Sequence, residues 1–123
     1  MTTYWTMPRG LYVSYLKELQ LHYKYLENDN FPMAWRQLER AHILAQPWAV
    51  QHTEVHWFML KFGFKIKNWR EILGQIPRLL VGGVKSFVGK IPVGNTGGAN
   101  VPPLKPMEIP TDLKEIMKPY VNG

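Results

Sequence analysis

The stretch ERAHILAQPWAVQHTEVHW, Glu39 to Trp57, holds three of the chain's four histidines together with a carboxylate. His52 and His56 are four residues apart, so on a helix they stack on one face with roughly 5–6 Å between Cβ atoms, and Glu39 and His42 share a face likewise. Between the two pairs lies Gln46-Pro47. Proline cannot continue a helix without losing a backbone hydrogen bond, yet it suits the start of the next one, so the chain must reverse here and make antiparallel neighbours of the two flanking helices. Counting outward from the reversal at about 1.5 Å per residue, His42 and His52 both fall roughly 7 Å along, Glu39 about 11 Å and His56 about 14 Å. His42 belongs to the inward stripe of the first of these helices, His52 and His56 to that of the second, and Glu39 to the edge nearest Trp35 and His42. The expectation is a mononuclear metal site of Glu39, His42, His52 and His56, suited to a borderline divalent ion such as zinc, copper or iron.

Two better-known patterns are excluded by spacing. HTEVH is not HExxH, because Glu54 stands two residues from each histidine and points to the far side of the helix. ERAH is an ExxH element, but di-iron bundles use it twice and here it occurs once. Met59, three residues past His56, could add a thioether for copper; filling the core is the commoner use of such a methionine. His22 stands alone on an earlier helix and reads as a core histidine donating to a backbone carbonyl.

The elements that must position these side chains are helical. Leu11, Tyr15, Leu19, His22 and Leu26 mark a first amphipathic helix, and ENDNFP ends it. A second runs from about Pro32 to Ala45 with Ala34, Trp35, Leu38, Ala41, His42 and Ala45 inward. A third, about Trp48 to Phe64, is apolar around most of its circumference and should be the most buried. A fourth is expected from a cap at Asn68, with a bend at Pro77 and a weak continuation towards residue 89. Beyond that, IPVGNTGGANVPPLKPMEIP is too rich in Gly and Pro for a long helix or central strand, and a short helix is expected from Thr111 to Lys118. The fold expected is therefore all-α. It is one domain over residues 1–123: a bundle of four main helices over 1–89, readable as two helical hairpins of TPR-like size, and an extended tail over 90–123 that wraps the bundle.

Composition narrows the chemistry. The chain has no cysteine, which removes disulfides, thiolate zinc sites, iron–sulfur clusters and a catalytic thiol, and which fits a cytoplasmic setting. No basic-then-apolar leader opens the sequence, and no apolar run approaches the roughly 18 residues of a membrane span. Formal charge is +6, and between Lys61 and Lys105 eight basic residues face one acid, Glu71. Such a face suits an acidic protein partner, which with the tryptophans gives the alternative reading of a non-enzymatic interaction module; nucleic acid and a membrane surface are less favoured. GNTGG could form an anion-binding nest, but it lacks the lysine of a P-loop, and tight turns locking the tail onto the bundle are the plainer use. Whether the site would be catalytic is left open by the sequence, since no general acid or cofactor loop stands out.

LERAHILAQ, HTEVHW followed by ML, REILGQIPRLL, GKIPVGNTGGANV and KPMEIPTDL, in this order, resemble the uncharacterised bacterial family catalogued as domain of unknown function 3703. The resemblance spans about Phe31 to Leu113. Its motif covers Glu39, Arg40, His42, Gln46, His52, His56, Trp57 and the glycines and Asn95 of GNTGG; it implies no established activity. Relatives often carry glycine before the glutamine of ILAQ. Here that position is Ala45, which puts the geometry of the reversal in question.

Overall fold

A computed structural model describes residues 5–81, 97–99 and 107–121. Among these the chain forms five helices, α1 Arg9–Glu27, α2 Phe31–Ala45, α3 Ala49–Lys65, α4 Trp69–Val81 and α5 Thr111–Met117. The four long helices pack together as two successive hairpins, α1 with α2 and α3 with α4, joined through the α2–α3 seam. The continuation of α4 past Val81 and most of the Gly/Pro-rich tail lie outside the described residues.

Each reversal has a local cause. After α1, Asp29 takes a left-handed backbone (φ 54°), and Asn30 caps α2 by accepting the Met33 N–H, with Pro32 in the first turn. The α2–α3 turn needs no glycine: Gln46 stays in a right-handed helical conformation, and the Trp48 N–H closes the turn on the Ala45 carbonyl at 2.8 Å. Ala45 fits there fully buried, so it does not disturb the reversal. Before α4, Lys67 is left-handed (φ 56°) and the Asn68 side chain accepts the Glu71 N–H, the cap expected from sequence.

The core is filled by Leu11, Tyr15 and Leu19 from the expected stripe of α1, Ala34, Leu38 and Ala41 from that of α2, and Val55 and Met59 from α3, joined by Leu113 and Met117 from α5. Met59 is wholly buried in this apolar cluster, as core filler. His22 is also in the interior, its Nδ1 2.8 Å from the Ala34 carbonyl. Arg40 fastens α5 to the bundle, reaching Glu18 of α1 through Nε and Nη2 at 3.0 Å each and Asp112 of α5 through the same guanidinium. The tryptophans divide: Trp48 is buried and Trp35 half-buried, whereas Trp57 and Trp69 are 49% and 66% exposed.

Candidate metal centre

His42 comes from the last turn of α2, and His52 and His56 come from successive turns of α3, so the reversal at Gln46-Pro47 sets all three rings across one seam. Their Nε2 atoms meet in a nearly equilateral triangle: 3.0 Å between His42 and His52, 3.2 Å between His42 and His56, and 3.1 Å between His52 and His56. All three rings are buried, with centroids 4.6–4.8 Å apart. The convergence expected from residue spacing is what the fold produces.

Glu39 is not part of this triad. Its carboxylate lies 3.7 Å from the Arg36 guanidinium and also takes a hydrogen bond from Trp35. Burial raises its pKa above the ordinary carboxyl value, outweighing the opposing pull of Arg36.

Behind the rings stands a support that sequence reading did not single out. Gln75 is fully buried on α4, and its amide can be oriented only one way. The NH2 group donates to Glu71 Oε2 at 3.1 Å and to the Gly97 carbonyl at 2.8 Å, which leaves Oε1 facing His56 Nδ1 at 2.6 Å. An amide oxygen only accepts, so Nδ1 carries a proton and, in the neutral ring, Nε2 presents its lone pair to the other two histidines. Glu71 is in turn held by the Ala99 N–H at 2.8 Å. This is the outer shell that metal-bound imidazoles have, an acceptor fixing the distal N–H of the ring. Its signal in the sequence was Glu71 and Gln75 four residues apart, polar positions on the inward side of an otherwise amphipathic helix.

Three neutral rings cannot match all three edges of this triangle at once. Each of its edges needs one N–H and one lone pair, and with His56 fixed as a lone pair, at most two edges can be so matched. One cation in contact with all three Nε2 atoms as lone pairs would remove the mismatched edge. At metal–nitrogen distances of about 2.0–2.1 Å, tetrahedral ligands stand roughly 3.3–3.4 Å apart, so edges of 3.0–3.2 Å are contracted by a few tenths of an ångström and fit an ion capping the triangle.

Fold and site together define an all-helical protein with a buried three-histidine cluster able to hold a metal ion. The model of the family described as protein of unknown function (DUF3703) matches residues 10–117, and the chain belongs to that family. No curated protein and no solved structure matches the chain.

Proposed function

We propose that this protein binds a single divalent metal ion through Nε2 of His42, His52 and His56, and that this ion is the centre of its function in metal handling or metal-dependent chemistry. The observation that carries the reading is the triangle of three buried Nε2 atoms together with the Gln75 amide, which dictates the tautomer of His56 that a ligand needs. An all-nitrogen set without sulfur suits zinc, copper(II) or iron(II) over softer ions. Three histidine ligands leave a coordination position for a further group, as catalytic zinc sites do.

Glu39 is our choice for that fourth position. It precedes His42 by one helical turn, is mostly withdrawn from water, and would exchange its distant contact to Arg36 for the ion. If instead it acts as a base on a metal-bound water, Glu39→Gln would keep the metal and lose any activity; as a ligand, the same change would weaken binding.

Native mass spectrometry of protein loaded with zinc, copper or iron tests the proposal against a His52→Ala, His56→Ala double variant. One ion per wild-type chain and none on the variant is the expected result. Wild-type protein that takes up no ion, and whose melting temperature is unmoved by any of the three metals, would refute it.

A second reading, an interaction face for an acidic protein, draws support from Trp57, Phe64 and Trp69, which lie exposed among Lys61, Lys65 and Arg70. Salt-sensitive binding of an acidic peptide, unchanged in the double histidine variant, would separate it from the metal reading.

A further inference from the structure

Residues 97–99 meet the metal centre at three independent points. Gly97 has a left-handed backbone (φ 84°) and lies directly on the His42 ring: a Cβ at this position would fall 2.5 Å from Cδ2 and 2.7 Å from Cγ and Nε2. Only glycine permits both that conformation and that approach. The Gly97 carbonyl accepts from Gln75, whose other end fixes His56. The Ala99 N–H donates to Glu71, which in turn accepts from Gln75. A complementary gap on α4 receives the segment, since a Cβ on Gly74 would overlap the Ala99 methyl and stand 3.3 Å from its Cα. One short stretch, more than fifty residues beyond His42 in the chain, thus bears on two of the three ligand rings, on one by packing and on the other through hydrogen bonds.

We infer that Gly97–Ala99 is a positioning element of the metal centre, so that binding of the ion and seating of this segment form one linked equilibrium. The inference rests on the metal reading above and adds a means of regulating it. Lifting the segment removes the wall behind His42 and one donor site of the Gln75 amide, loosening His42 and His56 together. By reciprocity, an ion that fixes the two rings holds the segment down by the same factor that seating strengthens the ion. Access to the ion is then governed from the tail, by anything that competes for Gly97 and Ala99, without a change in the ligands themselves.

The test uses the full chain with zinc as probe. Hydrogen exchange at the Ala99 amide, which reports the bond to Glu71, is measured with and without zinc in the wild-type protein; saturation is expected to slow it at least about tenfold. Zinc affinity and the rate of zinc loss to a chelator are then compared in Gly97→Ala, which clashes with His42, and Ala99→Pro, which removes the amide donor to Glu71 and restricts the backbone there. Outer-shell changes of this kind weaken metal by about 10–100-fold, and both variants should fall in that range with helical content retained. Unchanged Ala99 exchange on zinc binding, or wild-type zinc affinity in folded variants, would overturn the linkage while leaving the metal site standing. Failure of the wild type itself to bind zinc, copper or iron removes the metal reading and the inference with it, and is seen before any variant is made. Should both variants fail to fold, the wild-type exchange measurement decides alone.

Discussion

Replacing Gln75 by leucine tests the tautomer argument directly, because the two side chains are similar in size and differ in every hydrogen bond. The substitution removes the acceptor for His56 Nδ1 and both donors, to Glu71 and to the Gly97 carbonyl. Each buried group left without its partner costs about 1–3 kcal/mol, with Glu71 at the low end because the Ala99 N–H still reaches it. A total of several kcal/mol is a large share of the roughly 5–15 kcal/mol that keeps a domain of this size folded, so the metal-free variant should melt many degrees lower while remaining helical at low temperature. Metal affinity reports a different quantity. With His56 no longer held by an acceptor, its ring is free to rotate or to move its proton to Nε2, and zinc affinity of the folded variant should drop by about 10–100-fold. Urea unfolding of the metal-free protein gives the first number, and competition against a chromophoric chelator, run below the melting range, gives the second. Zinc bound as tightly by Gln75→Leu as by the wild type, alongside the expected loss of metal-free stability, would show that Gln75 merely fills and satisfies the core, and the case for His56 as a pre-set ligand would fall.

Three further substitutions probe groups outside the centre. Burial pushes the His22 pKa below its ordinary value, with Lys61 acting in the same direction against the Ala34 carbonyl; the unfolded chain therefore takes up a proton first as pH falls. The stability His22 contributes is complete above about pH 6.5 and is lost as pH drops towards the folded value, with a slope of up to about 1.4 kcal/mol per pH unit. In chelator-treated protein His22→Phe should flatten the stability profile by that increment, and superimposable slopes in the two proteins would contradict it. Arg40 holds the Asp112 carboxyl below the usual carboxylate range, so this contribution is present above about pH 4 and disappears as pH falls through the lower folded value. Because Asp112 is largely exposed, Asp112→Asn should cost under about 1 kcal/mol at neutral pH. Arg40→Met strands the buried Glu18 and should cost on the order of 3 kcal/mol in urea unfolding; equal losses for the two changes would mean that Glu18 does not depend on Arg40.

The clustering of the three histidines was legible in the sequence because it depends on only two kinds of information, helical period and the position of a proline. His42 and His52 are equidistant from the reversal and His56 follows one turn later; a seam between antiparallel helices does the rest. Glu39 obeys the same arithmetic, but height along a helix does not fix the direction of a long side chain, and Arg36 one turn earlier competes for it. The outer shell was hidden for another reason. Gln75 meets His56 across nineteen residues and Gly97 across twenty-two, and no periodic pattern connects such positions. Similarly, Gly97 is needed because of the ring beneath it, and a glycine in a Gly-rich tail gives no sign of which neighbour demands it.

The two layers of the site therefore differ in how they are tied to the rest of the molecule. Packed by Leu38, Val55 and Met59 in one apolar cluster with Leu113 and Met117 of α5, helices α2 and α3 carry the three histidines. Their orientation comes from α4 and from residues 97–99, through polar contacts and one glycine-to-ring approach. Apolar packing of the first kind does not depend on how the rings are oriented, whereas on the proposed metal reading an ion that fixes the Nε2 atoms would also hold the second layer's hydrogen bonds in place. Metal should for that reason stabilise the protein unevenly, slowing exchange in α4 near Gln75 and at Ala99 far more than in α1, where Leu11 and Tyr15 are buried without reference to the histidines. A uniform gain along all the helices would instead mean that the ion acts on global unfolding alone, and the division between a self-sufficient ligand seam and a metal-dependent outer shell would have no basis.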